Sequence, residues 1–110
     1  MRYYEVMFII KANLGEDKTT EVVDGFKNKL EKNEGKVLSL HEIGQREVSE
    51  TFQNATQGYF VECQFSGTNK TIDEMKRYFH VTENVLRHLV VRLEEILTKE
   101  KLEQVIAGAN

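Results

Sequence analysis

The sequence contains no proline, no tryptophan, one cysteine and three histidines. A single cysteine, Cys63, excludes an internal disulfide, and three scattered histidines do not supply the closely spaced ligands of a structural zinc site. Neither a disulfide framework nor a metal centre is therefore expected. A chain without disulfides is typical of a reducing, cytoplasmic compartment.

Long hydrophobic runs are also missing. The longest uncharged apolar run is Val6 to Ile10, whereas a membrane-spanning helix needs about 20 apolar residues. The first residues, MRYYEVMF, do not have the layout of a signal peptide. With 40% hydrophobic and 30% charged residues in a chain of 110, we predict one soluble domain with no membrane partner.

An excess of positive charge is absent too. The net charge is −3, whereas proteins that bind nucleic acid through bulk electrostatics are usually basic. Four glutamates and two lysines lie between Glu94 and Gln104. Without that segment the chain has 13 basic and 14 acidic residues, so the body is nearly neutral and local patches must decide what it binds.

Side chains that carry out catalysis are few. There is no glycine-rich phosphate loop, and no nucleophile pattern accompanies the histidines. Cys63 alternates with Val61 and Phe65 on an apolar strand face, which indicates a buried structural thiol. Glu5 and Glu62 are a possible pair of sheet carboxylates that we expect to be solvated. The sequence therefore predicts a protein that is not an enzyme and has no cofactor.

Hydrophobic periodicity divides the chain into strands and helices. Alternating residues predict an N-terminal strand with a buried even face, and apolar residues three and four apart predict a helix after it. A threonine–glutamate capping box predicts the start of a second helix. In order, the predicted elements are a strand 2–10, a helix 16–33, a strand 36–48, a polar turn 54–58, a strand 59–65 and a helix from Thr71 to about His80.

One stretch, NVLRHLVVRLEE from Asn84 to Glu95, fits two structures. Its leucines repeat as on one side of a helix, whereas its β-branched valines favour a strand. A strand completes the ferredoxin-like order, so we predict an α+β, ferredoxin-like βαββαβ domain over residues 1–94. It has a four-stranded antiparallel sheet with two helices on one face. Residues 95–110 are predicted to be a C-terminal tail, partly helical.

Two groups of residues are candidates for binding. The sheet face without helices is expected to expose apolar side chains to a partner, namely Tyr3, Met7, Ile9 and Phe60. Cations stand on the first and last strands, where apolar residues are usual, and arginine offers a planar fork that fits phosphate oxygens. Both odd and even positions of the last strand hold apolar residues, so the identity of its buried face stays open.

Several short segments, taken in their order and spacing, resemble the bacterial small-subunit ribosomal protein S6 family. They are MRYYEV from Met1, EKNEGKV from Glu31, QGYF from Gln57 and, most of all, NVLRHLVVR from Asn84. The resemblance extends over residues 1 to about 94. It implies a ferredoxin-like fold, which agrees with the predicted element order, and no enzymatic activity.

The resemblance also implies a function. The family members are structural constituents of the small ribosomal subunit that bind the central domain of small-subunit ribosomal RNA together with small-subunit ribosomal protein eighteen (S18). No small-molecule substrate is implied. On this basis the open sheet face is expected to meet S18, and the residues expected to contact RNA are Arg2, Arg46, Arg87, His88 and Arg92.

One segment departs from the family pattern. After the glycine at position 44, the family usually has a run rich in Arg or Lys and then Leu-Ala-Tyr-Pro-Ile, whereas here the chain continues GQREVSETFQN. Arg46 is kept, but Glu47 occupies the second basic position. This departure is expected of a divergent member that depends more on its partner, or of a paralogue.

Two other readings compete with this one. The first is a ferredoxin-like regulatory module that dimerises or binds a small ligand through its open sheet face. The second is a small acyl-phosphate hydrolase on the same fold, which requires an anion-binding loop after the first strand. The segment Lys11 to Gly15 supplies one lysine and one glycine there.

Overall fold

The computed structural model of the protein describes residues 2–52 and 55–94, apart from the side chains of residues 48–52, 55 and 56. The elements in this part of the chain are β1 Arg2–Lys11, α1 Glu16–Lys32, β2 Lys36–Phe52, β3 Ala55–Gly67, α2 Asn69–Val81 and β4 Val85–Leu93. The described part of the ambiguous stretch, Asn84 to Glu94, is thus mainly a strand, as predicted. The predicted C-terminal tail, 95–110, lies outside the described residues.

The strands form one sheet in the order β2-β3-β1-β4, and every neighbouring pair is antiparallel. The first and last strands of the sequence are therefore neighbours, with β1 in the interior of the sheet and β4 at one edge. This order is that of the ferredoxin-like βαββαβ fold, so the predicted fold class is confirmed.

Both helices cover the sheet face that the even residues of β1 form. The ring of Phe8 lies at its centre, with its centroid 4.8 Å from that of Phe26 in α1 and 4.9 Å from that of Phe79 in α2. Full burial of a side chain of this kind contributes about 1.5–3 kcal/mol. The buried even face of β1 was predicted from alternation and is confirmed; its members are Tyr4, Val6, Phe8 and Ile10.

The glycine inside α1, Gly25, allows the two helices to approach each other. A Cβ atom at this position would overlap the hydroxyl group of Tyr78 in α2. That hydroxyl donates a hydrogen bond to the backbone carbonyl of Val22 at 2.8 Å. A glycine costs a helix about 1 kcal/mol relative to alanine, and here it makes room for a tyrosine that joins α2 to α1.

The second helix begins before the predicted capping box at Thr71. Its N-cap is Thr68, whose backbone N–H donates to Oγ1 of Thr71 at 3.0 Å. The Thr71 hydroxyl donates in turn to the backbone carbonyl of Asn33 at 2.6 Å, and the Thr68 hydroxyl donates to the Glu34 carboxylate at 3.0 Å. The predicted start was wrong because Thr71 is a buried first-turn residue that anchors α2 to the loop after α1.

The predicted extent of the polar turn, residues 54–58, was also wrong. β1 ends at Lys11 opposite Gly58, but β2 and β3 continue to pair beyond that point as far as Phe52 and Ala55. Gly44, with φ of +97°, lies at a register shift that bends β2. The extension is a two-stranded ribbon without a third strand beside it, so its residues carry little of the apolar alternation by which strands are predicted.

Candidate nucleic-acid and partner interfaces

The register of β1 with β4 decides which face each residue of β4 occupies. Residues directly opposite each other in an antiparallel pair share a face. Phe8, which faces the helices, lies opposite His88, whereas Met7 on the other face lies opposite Leu89. The even positions of β4 therefore lie on the helix side and the more apolar odd positions from 87 to 93 lie on the open face. A bulge after Ile9 returns Val85 to the helix side.

Three of the five residues predicted to contact RNA lie together on the helix side of β1 and β4. Arg92 is opposite Tyr4, and the His88 ring packs against Phe79 in a tilted arrangement, with ring centroids 4.9 Å apart. Arg2 donates a hydrogen bond from Nη1 to the side-chain oxygen of Asn69 at 3.3 Å, which holds its guanidinium beside the start of α2. Arg2 and Arg92, together with Lys76 of α2, are called the helix-side cation strip below, and His88 adjoins it.

Lys76 was not predicted, and its position explains how His88 behaves. Partial burial against Phe79 lowers the pKa of His88, and the positive charge of Lys76 lowers it further. His88 is therefore neutral near pH 7 and offers a hydrogen bond or a ring face rather than a charge. Helical spacing could have indicated this position: Lys76 stands three residues before Phe79 and four before His80, on the side of α2 that meets β4.

The other two predicted RNA-contact residues lie on the open face. Arg87 is opposite Ile9 in β1, and Arg46 is opposite Gly58 in β3, beyond the register shift at Gly44. Both are near the end of the sheet at which β1 terminates, separated from each other by β3 and β1. Arg46 also donates a hydrogen bond from Nη1 to the backbone carbonyl of Gln45 at 2.8 Å. The five candidates thus belong to two surfaces rather than one.

The four residues predicted to meet a protein partner lie together on the open face. Ile9 is opposite Phe60, and Tyr3 and Met7 follow along the same face of β1. All four are half-buried. On the neighbouring strand, Leu89 is 63% exposed and Val91 is 42% exposed, so an apolar surface extends across β3, β1 and β4.

Polar side chains occupy the middle of this apolar surface. Glu5 is opposite Gln64, and Glu62 is opposite Met7 on one side and His41 on the other. Glu5, Glu62 and Gln64 are only 4%, 3% and 1% exposed, so the expectation that the two carboxylates are solvated was wrong. The cause is their place on interior strands, where longer neighbours surround them.

Burial has an electrostatic consequence for Glu5. Loss of hydration raises the pKa of Glu5 to about 7 from its usual 4.5, and the negative charge of Glu62 contributes in the same direction. The imidazole Nδ1 of His41 lies 3.8 Å from Oε2 of Glu62, which gives that carboxylate a partner that is charged when protonated. We call Glu5 and Glu62 the carboxylate pair of the open face.

Features of an active site are not found in the described ranges. Residues 2–52 and 55–94 contain no group of three or more potential metal ligands. Burial raises the pKa of the Cys63 thiol to about 12, so the thiol stays protonated, as expected of a structural cysteine. The cleft beside the loop after β1 is lined by Lys11 but also by Glu16 and Glu42, whose charges oppose anion binding. Neither of the two described helices is long and apolar enough to span a bilayer.

The sequence is similar to proteins of one family. The model of the family "Ribosomal protein S6" matches residues 3–92. "Small ribosomal subunit protein bS6" of Thermoanaerobacter pseudethanolicus is 32% identical over 95 residues, which cover 86% of this chain and 100% of the relative. The protein of the same description in Moorella thermoacetica is 33% identical, over 86% of this chain and 97% of the relative.

The fold is similar to that of solved structures. The crystal structure of 30S ribosomal protein S6 from Thermotoga maritima matches with a TM-score of 0.79 and 24% identity, over 98% of this chain and 96% of that chain. The C-terminal domain of the MgtC protein from Mycobacterium tuberculosis matches with a TM-score of 0.59 and 10% identity. Likenesses at these identities show the fold alone, since one fold carries many functions.

Proposed function

Because this chain belongs to the ribosomal protein S6 family and is thus a structural constituent of the small ribosomal subunit, we propose that it binds the central domain of small-subunit ribosomal RNA together with S18. It acts in the cytoplasm as part of the ribosome and is not an enzyme. The observation that carries the RNA proposal is the helix-side cation strip, which gathers charges from β1, β4 and α2 onto one surface of a nearly neutral body.

The two arginines of this strip are suited to phosphate. Arg2 and Arg92 line one cleft at the edge of the sheet, together with Tyr3, Leu93 and Glu94, and the charge of Glu94 partly offsets the two arginines there. A guanidinium binds phosphate oxygens in pairs, and the hydrogen bond to Asn69 limits the freedom that Arg2 loses on binding. We propose that Arg2 and Arg92 contact phosphates and that His88 adds a hydrogen bond or a stacking contact.

The remaining candidates reach RNA from the other side. Arg87 stands on the open face at the edge strand, where RNA and a partner on that face would meet. Arg46 stands on the ribbon, where Glu47 opposes the approach of phosphate. We therefore propose a larger contribution from Arg87 than from Arg46. A basic partner would supply phosphate neutralisation that a chain of net charge −3 lacks.

S18 is proposed to occupy the open face. The face offers Tyr3, Met7, Ile9 and Phe60 around the buried polar side chains at its centre, together with the exposed side chains of β4. Contiguous exposed apolar surface is typical of interaction sites, and aromatic residues and methionine are enriched at protein interfaces. RNA and S18 would thus bind different faces of the sheet and meet along β4.

Filter binding to a central-domain RNA fragment tests the RNA proposal. With S18 present, Arg92→Ala should weaken binding and reduce the slope of log affinity against log salt by about one. Lys29→Ala, on the exposed side of α1, is the matched control and should change neither quantity. Equal, weak binding by the wild type and both variants, with and without S18, would contradict the proposal.

The regulatory-module alternative makes a different prediction. It requires the open face to close against a second copy, because an exposed sheet becomes concave only on pairing. Sedimentation of the purified protein distinguishes the two: a tight homodimer would favour the regulatory module, and a monomer would favour the ribosomal protein.

A further inference from the structure

Exposure falls steeply from the β4 edge of the open face to its middle. In one row of opposed residues, Leu89 on β4 is exposed, Met7 on β1 is half-buried and Glu62 on β3 is buried. In the next row, Val91 on β4 is exposed and Glu5 on β1 is buried. The low exposure is thus concentrated over β1 and β3.

Strand neighbours account for only part of this burial. Side chains stand roughly perpendicular to a sheet, so neighbours on adjacent strands enclose the sides of a glutamate but not its carboxylate end. Neither described helix lies on this face, since both cover the even face of β1. Glu62, Gln64 and Arg87 each have an interaction partner within the chain. A cover that comes from the same chain accounts for both the burial and these partners.

Residues 95–110, which follow β4, are suited to this place. The last residue of β4, Leu93, is an odd position on the open face, so the chain leaves the sheet beside that face. Three apolar residues of the segment are spaced three and four apart, as on one side of a helix, namely Leu102, Val105 and Ile106. A helix of this length is about 24 Å long, enough to cross strands that lie about 5 Å apart.

The charges of the segment also fit the face. Lys99 stands three residues before Leu102, which is the spacing of one helical side, whereas Glu100 and Glu103 fall on the other side. A lysine among apolar residues complements a carboxylate pair that is surrounded by apolar residues, because its methylenes pack on the apolar surface while its ammonium group reaches the carboxylates.

We propose that residues 95–110 cover β1 and β3 on the open face of the free protein, and that S18 displaces the segment when it binds. Leu102, Val105 and Ile106 pack on the face around Met7, while the exposed side chains of β4 stay available for the first contact with a partner. The competition with S18 rests on the proposed function, whereas the cover itself does not.

Oxidation of methionine by hydrogen peroxide, followed by mass spectrometry, tests the cover. Met7 reports whether the open face is covered, and the fully buried Met75 reports whether the protein stays folded. In the full-length variant Leu102→Ser/Val105→Ser/Ile106→Ser, Met7 should be oxidised at least about threefold faster than in the wild type, while Met75 stays protected.

A matched control changes the other side of the same segment. Glu100→Ser/Glu103→Ser/Gln104→Ser introduces as many serines and should leave the oxidation rate of Met7 as in the wild type. Equal rates in the wild type and both variants would overturn the cover. A rate that falls equally in all three as protein concentration rises would place a second copy on the face, which also overturns it.

A measurement on the wild type keeps the test independent of how the variants fold. Nuclear Overhauser effects between the methyl groups of Ile106 and Met7 are expected in the free protein. Their absence would overturn the cover.

Calorimetric titration with S18 tests the competition. The variant with serines at the three apolar positions should bind S18 at least about threefold more tightly than the wild type, because no segment has to be displaced. Equal affinities would overturn the competition and leave the cover standing. If neither protein binds S18, the proposed function fails, and the oxidation of Met7 still decides whether the segment covers the face.

Discussion

The two faces of the sheet differ in how they treat polar groups. The helix face is closed by α1 and α2, and its buried members are almost all apolar around Phe8. The open face buries Glu5, Glu62 and Gln64 nearly as deeply, although neither of the two described helices covers it. One side of the same strands therefore stabilises the fold, while the other buries polar groups, and for Glu5 the loss of hydration disfavours the charged form.

Removing the central ring of the helix face should produce the largest effect. Phe8→Ala leaves a cavity beneath both helices and should lower the free energy of unfolding by about 3–5 kcal/mol. Met7→Ala, the next residue in β1 but on the open face, should lower it by only about 1 kcal/mol. Urea unfolding measures both. Equal losses would show that the faces do not differ in their contribution to stability.

A smaller loss is expected from filling the space between the helices. Gly25→Ala should lower the free energy of unfolding by about 1–3 kcal/mol, despite the better helix propensity of alanine, because the added Cβ displaces Tyr78. In the double variant with Tyr78→Phe, removal of the hydroxyl should reduce the additional cost of the alanine, which a double-mutant cycle quantifies. A Gly25→Ala variant as stable as the wild type would refute the close contact.

A gain in stability is expected on the open face. Between pH 4.5 and about 7 the folded protein keeps the proton of Glu5, whereas the unfolded chain has released it. The contribution of Glu5 to the free energy of unfolding is therefore complete below pH 4.5 and is lost as pH rises through 7. Glu5→Gln should thus raise the free energy of unfolding at pH 8 by about 1–2 kcal/mol, allowing for solvent screening, and change it little at pH 4.5.

Urea unfolding of Glu5→Gln at the two pH values checks this expectation. Glu31→Gln serves as the control, since its carboxylate is exposed on α1 and should leave the pH dependence unchanged. A variant that follows the pH dependence of the wild type would show that Glu5 ionises normally.

The smallest effect is expected where the open face is most exposed. Leu89→Gln should change the free energy of unfolding by less than about 0.5 kcal/mol, since the leucine is 63% exposed on an edge strand. It should nonetheless weaken S18 binding, because the lost apolar area belongs to the proposed interface. Thermal unfolding and the S18 titration measure the two quantities on one sample. A large loss of stability would place Leu89 in the core instead.

Strong local patterns predicted much of this fold. The alternation in Arg2 to Ile10 predicted the buried face of β1 without error, since an interior strand has one helix-covered side. The strand at β4 was predicted from element order rather than from its own residues, whose two apolar registers also fit a helix. The lengths of β2 and β3 were underestimated, because their paired ribbon lies beyond the core and lacks the alternation of apolar and polar residues that identifies a strand.

Features that depend on tertiary contacts could not be predicted. The face of each β4 residue follows from its register with β1 and from the bulge at Ile9 and Ile10, neither of which leaves a local signal. The N-cap was predicted at Thr71, but the Thr71 hydroxyl donates to the backbone carbonyl of Asn33, which is distant in the sequence, and the observed N-cap is Thr68. The burial of Glu5 likewise depends on its neighbours in the two adjacent strands, Gln64 in β3 and Val91 in β4.

These placements divide the predicted site into two surfaces. Arg2, His88 and Arg92 are on the helix side, and Arg87 and Arg46 are on the open face with the apolar partner residues. The sequence alone does not separate the two groups of residues, because Arg87 and His88 are neighbours in the chain yet lie on opposite faces of the sheet. We therefore propose that RNA binds mainly the helix side of the sheet and S18 the open face, with Arg87 near the border between them.

The RNA affinity of the S18-saturated Arg2→Ala/Arg92→Ala double variant tests this claim most directly. We expect the variant to bind S18 as the wild type does, while its S18 complex binds the central-domain RNA fragment at least about tenfold more weakly and with a smaller salt dependence. An S18 complex of the double variant that binds RNA with the affinity and salt dependence of the wild type would contradict it.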